Sequence, residues 1–393
     1  MEANELWLWL VPVALLPVFF AMGWFAARVD MKAVLKQAKS IPGGFYTALD
    51  ALVDKHSGRA ADNLAEVIAA RADDAETRRL SLTLGKLYRQ RGQNDKAIVL
   101  HQKLLSSPDT VGLEQAQTRF ELGQDYQAAG LVDRAEQIFL ELQHSEMASA
   151  AQQMLLNIYQ QDRDWEKAIE LAQALRHGDQ SYQFEIAQFY CERAQTALFQ
   201  SRPEEAEALA REALAVNRKC TRANLILADA AYKQGRYQDA IDACHAIEKQ
   251  NHEYLGMAAE RLYDAYDALG RAEAGLAVLV GYAKTFPDLD LHNVIYEKSL
   301  LINGEAQAAQ TVTELVRQKP DLAGVYRLLG VHIGDTDPAR RADMDMMRAV
   351  VGRQMQKAVM YRCRHCHFKS QAYFWHCPAC NKWETFTPNR IEI

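Results

Sequence analysis

Proline is scarce in this chain, ten residues in 393, while alanine and leucine are abundant, and that balance favours helix. A charge excess of either sign is also missing. The 45 basic residues face 51 acidic ones, so no global field points to nucleic acid as a partner. Motifs of common catalytic sites are absent: there is no glycine-rich phosphate loop and no G-x-S-x-G elbow. Histidines of the middle region occur singly, at His101, His144, His177, His245, His252, His292 and His332. A lone imidazole is far more often a surface or satisfied core group than a catalyst, so no catalytic residue is assigned. The seven cysteines lack the even spacing of a disulfide framework. Cys191, Cys220 and Cys244 are scattered and read as small buried hydrophobes. The other four fall within the last 31 residues.

At 393 residues the chain has room for two or three domains. Its beginning is unlike the rest. Leu6 to Ala27 is 22 residues without a formal charge, and a bilayer core needs about 20. Trp7, Trp9 and Trp24 stand near the two ends, as in an aromatic belt. Pro12 and Pro17 are tolerated in lipid when local adjustments satisfy the backbone. A cleaved signal peptide needs a basic start, and Glu2 and Glu5 stand there instead. Arg28, Lys32, Lys36 and Lys39 follow the span and no basic residue precedes it, which places the C-terminal side in the cytoplasm. The expectation is a transmembrane anchor at 1–28 and a basic juxtamembrane linker at 29–42. In a reducing cytoplasm, clustered thiols are ligands rather than disulfides.

Between residues 43 and 335 the chain echoes itself. "LGKLYRQRGQNDKAIVLHQKLL" (84–105) parallels "LGQDYQAAGLVDRAEQIFLELQ" (122–143), and "LADAAYKQGRYQDAIDACHAI" (227–247) parallels "LYDAYDALGRAEAGLAVLVGY" (262–282). A small residue in the second helix gives the register: Ala60, Ala97, Ala135, Ala168, Ala206, Ala240, Gly275 and Ala309, with spacings of 33 to 38. Five of these eight units place glycine five residues earlier, at Gly92, Gly130, Gly235, Gly270 and Gly304. Tyr88, Tyr126, Tyr159 and Tyr266 fall nine residues before the register position, and Pro108, Pro287 and Pro320 close three units. The logic is steric. Small residues let paired helices approach, glycine turns the chain through left-handed angles, tyrosine fills gaps and proline stops the second helix. The pattern resembles the tetratricopeptide repeat, a 34-residue helix-turn-helix, over about three quarters of the chain. The resemblance implies a mainly α superhelix with a groove for protein partners.

Residues 336–360 read as a capping or linker helix. Asp337 before Pro338 is a helix start, and Met344, Met347, Val350, Val351, Met355 and Val359 form an apolar stripe that would close the repeats. Residues 361–393 then carry Cys363-x-x-Cys366, a ten-residue gap, and Cys377-Pro-Ala-Cys380. Two such turns supply the four thiolates of a tetrahedral site, which spacing alone assigns equally to iron or zinc. His365, His367 and His376 are alternative ligands, but four cysteines already fill the site. Tyr373, Phe374, Trp375, Trp383 and Phe386 are expected to pack around an ion that folds so small a module. The two cysteine turns resemble the knuckles of rubredoxin, with His367 and Asn381 where rubredoxin usually has glycine at positive φ. The short gap looks more like a zinc ribbon.

Anchor, repeats and clip together resemble the lipopolysaccharide assembly protein B family of Gram-negative bacteria. The resemblance implies a non-enzymatic, single-pass inner-membrane adaptor with a periplasmic N-terminus. Such an adaptor restrains lipopolysaccharide synthesis by promoting proteolysis of the UDP-3-O-acyl-N-acetylglucosamine deacetylase. The protease implied is a membrane-bound AAA metalloprotease, and an inner-membrane lipopolysaccharide sensor opposes the adaptor. Other lipopolysaccharide-synthesis proteins are further partners, and self-association is left open. The family's clip is a rubredoxin-type iron site, with zinc the alternative, and its ligands fall on Cys363, Cys366, Cys377 and Cys380. Two other readings exist. One is a rubredoxin-type redox protein. The other is a zinc ribbon binding nucleic acid, for which Arg362, Arg364, Lys369, Lys382 and Arg390 against Glu384 and Glu392 are only mildly basic. Both leave the repeats without a role.

Overall fold

In the computed structural model the described residues are 57–389, apart from 72, 73, 176–181, 321, 335 and 336, together with 391, 392 and a few positions between 17 and 53. Most of the expected anchor and all of the basic linker lie outside them. Among the described residues no helix is long and apolar enough to cross a membrane. The chain divides into two compact units, residues 1–158 and 159–393.

The first unit holds α1 (Ser57–Ala69), α2 (Ala75–Gln90), α3 (Asn94–Leu105), α4 (Gly112–Ala128), α5 (Val132–Glu141) and most of α6 (Ala148–Gln161). Local signals explain the helix ends. Asp74 caps α2 by accepting the Thr77 N–H at 2.7 Å, and Glu76 and Arg89 sit at the ends the helix dipole favours. Ala61 and Leu64 of α1 pack against Leu84 and Leu87 of α2. A polar contact joins α2 to α4: Arg89 donates to Asp125 and Glu121, each at 2.6 Å. His101 of α3 is fully buried beside that same Asp125, at 2.5 Å, a satisfied core histidine.

The second unit continues with α7 (Trp165–Ala174), α8 (Gln183–Phe199), α9 (Pro203–Val216), α10 (Thr221–Lys233), α11 (Tyr237–Asn251), α12 (Leu255–Ala268) and α13 (Ala272–Thr285). Pro203 opens α9, where a missing N–H costs nothing. The α8–α9 pair shows why alanine is so common. Ala187, Ala194, Ala197, Ala206, Ala210 and Ala213 are all buried in one cluster, so the two backbones can lie close together. A helix over His292–Gln318 (α14) is broken at Gly304, whose φ of 79° makes it a helix pair, 292–303 and 305–318.

The turn glycines behave as their spacing requires. Gly92, Gly130, Gly235, Gly270 and Gly304 all have φ between 71° and 79°. A Cβ at Gly235 would meet nothing within 4 Å, so glycine serves the backbone angle there and not a tight contact. Arg163 and Ser201, the equivalent positions of the units at Ala168 and Ala206, also turn left-handed, each at φ 58°. The helix-turn-helix geometry thus overrides the preference of these L-residues, at about 1–2 kcal/mol each. Ala60, Ala97, Ala135, Ala168, Ala206 and Ala240 are completely buried. In the eighth unit the buried residue is Ala308 and not Ala309, because the second helix begins one residue earlier relative to its neighbours.

Beyond α14, α15 (Leu322–Gly334) packs on α16 (Pro338–Ala358), with the Arg348 guanidinium 4.7 Å over the Tyr326 ring. The apolar stripe of α16 is only partly used. Met347 and Val350 remain half exposed, as does Met346, because α15 covers a narrower face than the stripe presents. The chain passes from α16 directly into β1 (Val359–Arg362), which lies between β2 (Lys369–Ser370) and β3 (Ile391–Glu392) in a small antiparallel sheet.

Two substitutions test the turn geometry. Ser201→Gly is expected to stabilise the chain and Gly235→Ala to destabilise it, each by about 1 kcal/mol. Denaturation of the two variants beside the unsubstituted protein should show shifts of opposite sign.

Candidate metal centre

The two cysteine turns are built by the same hydrogen bonds. Cys363 N–H donates to the Phe368 carbonyl and Cys377 N–H to the Lys382 carbonyl, both at 2.9 Å. His367 N–H returns to the Cys363 carbonyl at 3.0 Å, and Asn381 N–H to the Cys377 carbonyl at 2.9 Å. These closures force positive φ after each second cysteine, and His367 (62°) and Asn381 (52°) supply it without glycine.

The turns bring four sulfurs together. The Sγ atoms of Cys363, Cys366, Cys377 and Cys380 lie within 4.8 Å of one another. Cys363 and Cys380 are 3.8 Å apart, and Cys366 and Cys377 3.6 Å. A tetrahedral ion with metal–sulfur bonds of about 2.3 Å has sulfur–sulfur edges of about 3.8 Å, so the donor set fits such an ion. Burial raises the Cys363 thiol, but the Cys366 N–H and the Thr385 hydroxyl outweigh it and bring it down to about 6. Burial, with the neighbouring thiols adding to it, pushes Cys380 up to about 12. Burial thus works against the charged form at both thiols, and a bound cation would offset that cost. The histidines stand apart. The side chain of His367 meets Arg362 at 2.9 Å, and His376 stacks on Trp383 at 4.4 Å.

The aromatics divide into two groups, which corrects the expectation that all five surround the ion. Phe386 is buried with Cys363 and Cys377, and Tyr373 packs on it. Trp383 and Trp375 face the repeats instead. Trp383 meets Trp165 at 6.1 Å and Phe189 at 6.0 Å, both edge-on, and its indole N–H donates to Gln160 at 3.2 Å. Trp375 lies flat on Tyr254, 5.4 Å between centroids, with the Arg222 guanidinium 5.1 Å from its ring. Gln188 donates to Glu384 at 2.7 Å, and Arg364 reaches Glu253 at 2.7 Å. Burial lifts the Glu384 carboxyl above its ordinary value near 4.5, against the Gln188 hydrogen bond and the charge of Arg222. None of Gln188, Arg222, Tyr254 or Glu384 is singled out by the sequence. Gln188 and Glu384 lie 196 residues apart, and Tyr254 lies 119 from Tyr373, whose hydroxyl meets its own, beyond the reach of any local spacing.

Comparison with known proteins agrees with this arrangement. A tetratricopeptide repeat model matches residues 191–254, and a rubredoxin metal binding domain model matches 361–388, including all four cysteines. Lipopolysaccharide assembly protein B of Escherichia coli K12 is 28% identical over 380 residues, which is 96% of this chain and 97% of that protein. The chain is similar to lipopolysaccharide assembly protein B along nearly its whole length. The Haemophilus influenzae protein of that name is likewise 28% identical, over 95% of this chain and 96% of its own. The similarity spans both the repeats and the cysteine clip.

Glu384 gives the docked clip a defined pH response. A carboxyl raised by burial contributes most below about 4.5, and its contribution is lost as pH rises through the raised value. Glu384→Gln should therefore match the unsubstituted chain near pH 4 and hold the clip more firmly near pH 8. Protease cleavage within 361–393 at the two pH values, with metal content measured alongside, checks this.

Proposed function

We infer that the chain is a non-enzymatic adaptor of lipopolysaccharide assembly, held at the inner membrane by residues 1–28 with the repeats in the cytoplasm. The observation that carries this reading is the similarity to lipopolysaccharide assembly protein B across nearly the full length. Support also comes from the architecture: stacked helix pairs suited to protein partners, and a cysteine clip seated on them.

The adaptor promotes proteolysis of the UDP-3-O-acyl-N-acetylglucosamine deacetylase by a membrane AAA metalloprotease. Membrane tethering would raise the effective concentration of adaptor, protease and substrate without requiring tight individual contacts. An inner-membrane lipopolysaccharide sensor would oppose it, and other lipopolysaccharide-synthesis enzymes could share the repeats. In the clip, Cys363, Cys366, Cys377 and Cys380 hold one ion. Iron is the choice by resemblance to rubredoxin, and zinc is the other ion this donor set accepts. The ion's part is to fold the clip, whose own buried surface is too small to do so.

Affinity purification from native membranes should recover both protease and deacetylase, and depletion of the chain should raise deacetylase levels. Recovery of neither, with deacetylase unchanged on depletion, would sink this reading. Cys363→Ser or Cys377→Ser should remove the ion, unfold 361–393 and abolish adaptor activity. Elemental analysis and protease sensitivity read the first two effects, and the same metal analysis distinguishes iron from zinc.

A further inference from the structure

Cys191 and Cys220 stand 29 residues apart in sequence and meet in the fold. Cys191 lies on α8, and Cys220 is the residue that opens α10. Both are free thiols, both are buried, and their sulfurs are 3.6 Å apart. The pair lies directly beneath the surface that carries the clip. Gln188, one turn before Cys191, places its amide nitrogen 3.8 Å from the Cys220 sulfur and 2.7 Å from Glu384. Arg222, two residues beyond Cys220, bears on Trp375 and pairs with Glu192 at 2.9 Å. One side chain, Gln188, thus touches both the thiol pair and the clip.

The two thiols are not equivalent. The hydrogen bond with Cys191 lowers Cys220, and the Ala223 N–H and Arg222 add to it against burial and Glu384. Burial holds Cys191 well above the ordinary thiol range. Such an asymmetric pair has the attributes of an attacking and a resolving cysteine.

We propose that Cys191 and Cys220 form a reversible disulfide when met by a peroxide, and that Gln188 transmits the state of the pair to the clip. The Cys220 thiolate attacks one peroxide oxygen and breaks the O–O bond, leaving a sulfenic acid and hydroxide. The Cys191 sulfur then displaces the sulfenic oxygen, which leaves as water with the Cys191 proton, and the proton that Cys220 gave up on becoming a thiolate neutralises the hydroxide. Two thiols lose two electrons and two protons, and the peroxide becomes two waters. A disulfide needs sulfurs about 2.05 Å apart, so the pair must close by about 1.5 Å. That movement alters the Gln188 contact with Cys220 and, through it, the hydrogen bond to Glu384. The site is independent of which partner the repeats carry.

The test uses the full-length, metal-loaded protein in native membranes. After treatment with hydrogen peroxide, free thiols are alkylated under denaturing conditions and the digest is examined by mass spectrometry. A linked Cys191–Cys220 peptide pair, lighter than its two thiol peptides by two hydrogens and released by dithiothreitol, is expected. Cys244, buried on α11, should be recovered alkylated. Recovery of Cys191 and Cys220 as alkylated thiols, or bonded to other cysteines, overturns the site. For the relay, limited proteolysis of 361–393 should be several-fold faster after peroxide treatment of the unsubstituted chain. Cys191→Ala and Cys220→Ala, treated identically, report any direct attack on the clip thiols and should be cleaved more slowly. Equal cleavage of the unsubstituted chain and both variants overturns the relay.

Discussion

The seat of the clip on the repeats is the contact that gives residues 159–393 their unity. Repeat arrays are close to one-dimensional, each unit touching only its neighbours, so their stability is a sum of local terms. The clip adds a different kind of term. Through Trp383 it holds Gln160, Trp165 and Phe189, and through Trp375 it holds Tyr254 and Arg222. Truncating one buried aromatic of this size costs about 3–5 kcal/mol, and a whole domain has only about 5–15 kcal/mol. Trp383 is buried to this degree and Trp375 partly so, and together they are on the scale of the stability of what they join. Separate helix pairs become members of one cooperative body.

This makes the cysteine cluster matter far beyond its size. The surface that docks exists only when β1, the two cysteine turns and Phe386 are in place, because those turns orient Trp375 and Trp383. Closure between Glu384 N–H and the Trp375 carbonyl, at 2.7 Å, ties the two indoles to one another. Any ion that favours the folded clip over the unfolded one stabilises the docked repeats by the same linkage. A small charge-dense cluster at one end of the sequence thus acts on helices more than a hundred residues earlier.

The sequence announced those parts of the fold that follow from local sterics. Glycine five residues before a buried small residue marked the turns, and the structure shows positive φ at each of the five. The meeting of the four sulfurs was legible because two Cys-x-x-Cys turns constrain their own sulfurs. His367 and Asn381 could be read as left-handed because the position demanded it. Arg163 and Ser201 were not legible, since nothing about either side chain advertises the angle it adopts. The docking surface was hidden for a deeper reason. Trp375 and Trp383 have the same composition signature whether they line a metal module or leave it for a distant helix. Only the tertiary fold, which sets α8 and α10 beside the clip, decides between them. The same applies to Met347 and Val350, whose place in an apolar stripe implied burial that α15 does not provide.

The order of the chain adds a consequence in time. Trp165, Phe189 and Tyr254 emerge during synthesis well before the indoles that cover them, the last of which lies roughly 130 residues after Tyr254. At about 5–20 residues per second, that aromatic surface stays bare for on the order of ten seconds in every nascent chain. Until the second cysteine turn has closed, a surface meant for Trp375 and Trp383 is open to any passing aromatic or to a chaperone. Maturation of this protein is therefore a race that its final segment has to win.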